Sequence, residues 1–344
     1  MMTNKLKQAA AAALAVLLCA AFPACASAPA SSAAPGSSAG SSQKAPKKIG
    51  VLQYAVNASL DNCYTGFRKG LAESGYEEGK NLTLEFQNSQ ADASNAKMMA
   101  KTMVSKQYDL VMGIATPAAM ALYGAAKSTD IPTIFTAISD PVAAGLVQSL
   151  QKPGGNCTGS SDVLPLEGQM KMIRAFLPKA KKIGVLHTTS EPNSTSSLKT
   201  FEKLAPKYGF EIVEIGVTGP SDVEPSVKTL IAKGVDCINN FTDNNVVNHL
   251  SALLQAANEA KIPIFGSEVE QVKDGCLASV SIDFVALGEE TGKMAAKVLD
   301  GAADPAQTPV YTVRSGVPVY NKQTLSKLGL SLPAGYAGAK DVAG

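Results

Sequence analysis

Tryptophan is absent from this chain of 344 residues, and histidine occurs only twice, as His187 and His249. Sugar-binding clefts often stack their ligand on tryptophan faces, so its absence weighs against a sugar. There is no HExxH, no GxSxG and no phosphate-binding P-loop. A hydrolase needs a nucleophile and a base within reach, and these gaps argue against an enzyme. Cysteine is sparse and scattered. Beyond Cys19 and Cys25 there are Cys63, Cys157, Cys237 and Cys276, with no CxxC and no nearby histidine pair, so the spacing does not point to a zinc site. Exported proteins can pair such cysteines. Here Cys157, Cys237 and Cys276 sit in or beside apolar, strand-like runs, which favours buried free thiols. The formal net charge is only +2, with no basic stripe, so nucleic acid is not a partner. After the first two dozen residues no apolar run reaches spanning length.

The chain does have a repeat. KKIGVL occurs at residues 47–52 and again at 181–186. Each copy reads as a short buried strand with β-branched residues. The segments after the two copies also match: helix, strand, helix, then a strand (109–114 and 235–238), a further helix, and the strands IPTIF and IPIF. The offset is about 130 residues, too long for a solenoid and suited to two β-α-β-α lobes. The fold class is therefore α/β, with two similar Rossmann-like lobes whose parallel sheets are joined by a hinge.

The ends read differently. Residues 1–25 form a signal peptide, with a basic start, an apolar stretch and small residues at the end. Phe22-Pro23-Ala24-Cys25 is similar to a lipobox, which makes Cys25 the lipidated residue. Residues 26–46 are almost all Ser, Ala, Gly and Pro and read as a flexible tether. The first lobe is assigned to 47–161 plus about 284–330, the second to 162–283. Such a chain crosses between lobes two or three times, which is a hinge.

In parallel sheets, ligands sit beyond the carboxyl ends of the strands. The residues to inspect are therefore those just after each strand. Thr116-Pro117 reads as a helix start, with Thr116 as cap, aimed above the sheet and suited to a carboxylate. Asp140, Asp162 and Asp243 each follow a strand and are candidates for an ammonium group, with Glu268 and Glu191 less distinctive. Tyr54 ends the first strand and can pack on an aromatic ring. A zwitterion needs an anion site and a cation site close together, and these loops can supply both.

The segments IGVLQYAVNASLD, DLVMGIATPAA, IFTAISDPVAAGLV, GGNCTGSSDVLP, FTDNNVV, IPIFGSE and SIDF together are similar to the substrate-binding lipoproteins of ABC transporters, the tryptophan/tyrosine-type group, over about residues 48–328. The resemblance implies the type I periplasmic-binding-protein fold and no cofactor. It implies capture of an amino acid such as tryptophan, tyrosine or phenylalanine outside the cell. It also implies a monomer, lipid-anchored on the outer face of the cytoplasmic membrane, that delivers to an ABC permease and ATPase. Thr116, Asp140, Ser161, Asp162, Thr242, Asp243 and Glu268 fall in the matching segments. A solute sensor with a signalling partner, or a binder of a sugar or another small solute, is the alternative.

Overall fold

The computed structural model describes residues 44–313 and 315–343. The expected signal peptide, Cys25 and nearly all of the tether lie outside the described residues. The first lobe begins with β1 (Lys47–Gln53), α1 (Ala58–Glu73), β2 (Leu82–Asn88) and α2 (Ala93–Ser105). It continues through β3 (Leu110–Ile114), α3 (Thr116–Ala126), β4 (Thr133–Thr136) and β5 (Cys157–Ser161). The second lobe opens with α4 (Leu166–Phe176), β6 (Lys182–Thr188), α5 (Pro192–Leu204), β7 (Glu211–Val217) and α6 (Val223–Ala232). Then come β8 (Cys237–Asn239), α7 (Asn244–Asn248), α8 (Leu250–Glu259), β9 (Ile264–Phe265), α9 (Val269–Asp274) and β10 (Ala278–Ser281). The chain ends with α10 (Phe284–Leu299), β11 (Tyr311–Thr312), β12 (Val317–Tyr320), α11 (Lys322–Lys327) and β13 (Lys340–Asp341).

The two KKIGVL copies are β1 and β6, and each sits inside its sheet. One sheet runs β2-β1-β3-β4-β5-β11, the other β7-β6-β8-β9-β10-β12-β13. Both share the doubly wound order in which the first strand lies between the second and third. Every pairing is parallel except β10 with β12. Ile49, Val51, Leu52, Ile183 and Val185 are wholly buried, as expected for strands covered on both faces. The repeat extends to a polar detail. Asp109 accepts from the backbone N–H of Lys48 at 2.8 Å, and Asp236 from those of Lys181 and Lys182 at 2.7 and 2.8 Å. Each aspartate thus ties the start of its lobe's first strand to the start of the third.

The segment expected to return whole to the first lobe is divided. α10 packs along α1, and β11 pairs with β5, so this part is in the first lobe. β12 instead pairs antiparallel with β10, and Leu325 of α11 packs in the second core. The boundary falls between β11 and β12, because the alternating run at 317–320 adds a strand beside β10, with β13 outside it. The chain therefore passes between lobes after β5, after β10 and after β11. Glycines set the α1–α10 contact. A Cβ on Gly288 would stand 2.0 Å from the carbonyl oxygen of Cys63, so only glycine allows this approach. Cys63, Cys157, Cys237 and Cys276 are all buried and free. Among the described residues no helix is long and apolar enough to cross a membrane.

Candidate ligand-binding site between the lobes

The carboxyl ends of both sheets face one small cavity, whose free space of about 20 Å³ holds little more than a water molecule in this form. The first lobe contributes Thr116, Ser139 and Asp162, and the second Asn193, Thr242, Asn244 and Glu268. Leu60, Val247 and Phe284 give it an apolar wall. No lysine or arginine lines it.

α3 reaches the cavity because Gly113 lets it sit tightly on β3; a Cβ there would stand 2.5 Å from the Cα of Ala119. The helix is preceded by Ala115 in a positive-φ conformation (φ 72°, ψ 154°), and Ala137 nearby is also positive (φ 57°). Both alanines line the cavity, and such backbone strain is found at ligand clamps. Thr116 does not cap its helix, contrary to the expectation. It is the first helical residue, Ala115 holds the cap position, and no side-chain cap bond forms. Its Oγ1 is buried without a hydrogen-bond partner. The N–H groups of Thr116 and Ala118 precede the first intrahelical bond, from Ala119 to Ala115 at 3.1 Å.

Asp162 and Glu268 are the two carboxylates of the cavity wall, both nearly inaccessible. Burial pushes the Asp162 carboxyl up to about 7, its own backbone N–H and the Ser139 hydroxyl oppose the shift, and the charge of Glu268 adds to it. Burial also raises Glu268, against hydrogen bonds from Ser59 and Gln271. Oδ1 of Asp162 has no partner. Asn193 Oδ1 is the third such atom. Thr116, Asp162 and Asn193 are 2%, 2% and 5% exposed, so bulk solvent does not reach them.

The remaining candidates have other tasks. Asp243 is wholly buried, and both its oxygens are committed. They accept from the N–H and hydroxyl of Thr188, the hydroxyl of Ser194 and the N–H of Val246, at 2.5–3.0 Å. It caps α7 and does not line the cavity, so it is no ammonium partner. Tyr54 is turned into its own lobe, where its hydroxyl donates to the carbonyl of Ala91 at 2.8 Å. Its ring lies outside the cavity wall. The hydroxyl of Ser161 donates to the carbonyl of Ile138 at 2.6 Å and likewise stays out. Asp140 caps its own loop through the N–H of Ala143 and accepts from Ser196 of α5, in the other lobe. His187, at the end of β6, pairs with Glu214 at 2.7 Å on the neighbouring strand.

Thr242 lines the cavity and meets Ser139 across it, hydroxyl to hydroxyl at 3.3 Å. Asn62 of α1 donates to Glu270 of α9 at 3.2 Å. With Asp140–Ser196 and Ser59–Glu268, these contacts hold the two lobes together around the cavity. Asn57 and Asn193 are the polar wall residues the strand-end rule missed. Asn57 caps α1, and Asn193 lies in the first turn of α5, both beyond the loop residues that directly follow their strands; Asn244 fell in a strand-end loop but was passed over for its neighbour Asp243.

Two doubly wound lobes closed on a buried, mixed polar and apolar cavity define a two-lobe solute-binding protein. The comparisons with known proteins specify which kind. Residues 48–336 match the ABC transporter substrate binding protein family model. A tyrosine-binding protein of Clostridioides difficile (strain R20291) is 40% identical over 290 residues, covering 84% of this chain and 83% of that one. A crystal structure of an ABC domain in complex with L-Trp from Streptococcus pneumonia is 40% identical, covers 86% of this chain and 99% of that one, and superposes with a TM-score of 0.82. The ligand-free, open structure of a substrate binding protein with adhesive properties from Clostridium difficile is 37% identical over 86% of this chain and 99% of that one, with a TM-score of 0.67. The chain belongs to the ABC transporter substrate-binding protein family. Such proteins are extracellular or periplasmic. At similar identity, the better superposition on the ligand-bound structure agrees with the cross-lobe contacts, which describe a closed form.

Proposed function

We propose that the protein captures an aromatic amino acid as its zwitterion, between the lobes and outside the cell, and hands it to an ABC permease driven by an ATPase. One observation carries this reading: three residues of the cavity wall each carry a buried polar atom without a partner, and the wall holds two carboxylates and no lysine or arginine. A ligand ammonium supplies the missing positive charge at Asp162, with Glu268 beside it. A ligand carboxylate meets Thr116 Oγ1 and the first N–H groups of α3, where the helix dipole favours negative charge. Leu60, Val247 and Phe284 suit an apolar ring. The tyrosine-binding relative and the structure with L-Trp support the same ligand class.

Calorimetry tests it. Tryptophan, tyrosine and phenylalanine are titrated as free amino acids, as methyl esters and as N-acetyl derivatives. Blocking either end should weaken binding by about 30-fold or more, because a buried charge is left unpaired. If blocking an end leaves affinity unchanged, no zwitterion site exists. The reading includes a lipid anchor at Cys25. Cys25→Ser should then release the protein from membranes without changing its affinity; a wild-type protein already free of membranes would refute the anchor.

A further inference from the structure

We infer that Asn193 reads the ring of the ligand: its amide oxygen accepts a hydrogen bond from a phenol O–H or an indole N–H, and so selects against a plain phenyl side chain. This inference rests on the amino-acid reading above and adds a specificity to it.

The amide orientation is dictated by its surroundings. Nδ2 donates to Glu191 Oε2 at 3.2 Å and to the carbonyl of Thr242 at 3.1 Å. Turning the amide over would set Oδ1 against a carboxylate and a carbonyl, two acceptors without a hydrogen between them. Oδ1 is therefore held away from Glu191, and Asn193 lines the cavity. Glu191 is itself fixed. It accepts from the N–H and side-chain amide of Asn244, at 3.0 and 2.7 Å, and from the N–H of Asn245 at 3.2 Å. The acceptor is thus positioned before any ligand arrives, by a carboxylate that never touches it.

A buried carbonyl without a donor is unfavourable, so the site prefers a ligand that brings one. The ammonium group is a poor candidate, because the charged oxygens of Asp162 and Glu268 outcompete a neutral amide for it. The ligand carboxylate has no hydrogen to give. The donor left is one on the side chain. A phenyl ring fits the apolar wall but leaves Oδ1 unpaired, the situation in which a polar site discriminates most strongly.

Titration calorimetry can decide this with five ligands: phenylalanine, tyrosine, O-methyltyrosine, tryptophan and 1-methyltryptophan. Each is measured on the wild type and on Asn193→Leu, which is close in size and has no acceptor. The wild type should bind tyrosine or tryptophan at least about tenfold tighter than both phenylalanine and that ligand's methylated form. Asn193→Leu should bring these affinities to within about threefold of one another, with its fold checked separately by circular dichroism and thermal unfolding. Equal wild-type affinities for the donor and methylated pairs would overturn the inference, and that comparison needs no variant. So would an Asn193→Leu protein that loses phenylalanine and tyrosine equally, since Asn193 would then serve the shared backbone groups. If none of the five binds the wild type, the amino-acid reading itself falls, and this one with it.

Discussion

The helices that follow β3 and β8 hold the same place in the two lobes, and they begin in opposite electrostatic states. The start of α7 carries two protein carboxylates: Asp243 accepts from Val246, and Glu191 from Asn244 and Asn245. The start of α3 has no acidic residue in its first turn and no side-chain cap, and its one hydroxyl, Thr116 Oγ1, has no partner. The same fold position is thus an internally neutralised helix end in one lobe and an uncapped end in the other. On the proposed reading the uncapped end takes the ligand's carboxylate, and the buried acids divide into those already satisfied, such as Asp243, and those that await the ligand's cation, Asp162 above all.

The strongest test of this contrast is to neutralise one aspartate of each kind. Asp243→Asn turns an acceptor of four hydrogen bonds into an amide that can satisfy only part of them. It should cost the folded protein about 3 kcal/mol or more, read by urea denaturation. Asp162→Asn removes a buried carboxylate that has no cation, so the free protein should become no less stable. Its affinity for the amino acid should fall by about 2–5 kcal/mol, a factor of roughly 30 to several thousand. Equal losses of stability in both variants would erase the distinction.

Protonation gives a second handle. With the Asp162 carboxyl at about 7 in the folded protein and 3.8 as its ordinary value, the native state holds the extra proton between those limits. This group therefore makes the free protein lose stability as pH rises through that window. Glu191, pushed to about 7 by burial and then by the charge of Asp243, acts in the same direction. Ammonium binding requires the ionised form of Asp162. Affinity should rise by up to about tenfold per pH unit below 7 and flatten above it. Calorimetry in buffers of different ionisation enthalpy should also detect proton release below 7. A flat affinity from pH 5 to 8 would mean that Asp162 does not hold the ammonium.

The smallest effect is expected at Thr116. Thr116→Val should weaken binding by about 1–2 kcal/mol, because the N–H groups of α3 still meet the carboxylate. Thermal unfolding of the free protein should be unchanged, since Oγ1 caps nothing. A loss of stability without a loss of affinity would return Thr116 to a structural role.

The same pairs of residues show how much of the fold and site is legible in the sequence. The KKIGVL repeat disclosed both sheets, because a strand covered on two faces is a continuous apolar run. The strand-end rule reached Thr116, Asp162, Thr242 and Glu268, because the carboxyl end of a parallel strand is a place and can be counted to. It could not separate Asp162 from Asp243. Both follow a strand in a polar loop, and the groups that satisfy Asp243 come from Thr188 and Ser194, some fifty residues earlier in the chain. Tyr54 was drawn in by the same rule and Ser161 by the family resemblance, although their hydroxyls turn back onto carbonyls of their own lobe. Asn193 lay beyond its reach, inside a helix, and only the closed lobes reveal it as part of the wall. β12 was assigned to the wrong lobe because a short alternating strand carries no mark of which sheet it will join.

A crystal structure of the protein with bound tyrosine would show directly whether the ligand's carboxylate sits at the start of α3 and its ammonium at Asp162. We expect a carboxylate oxygen within hydrogen-bond distance of Thr116 Oγ1 and the ammonium nitrogen within hydrogen-bond distance of Asp162 Oδ1. A ligand bound the other way round, with its carboxylate against Asn244 at the start of α7 and no cation at Asp162, would contradict that placement.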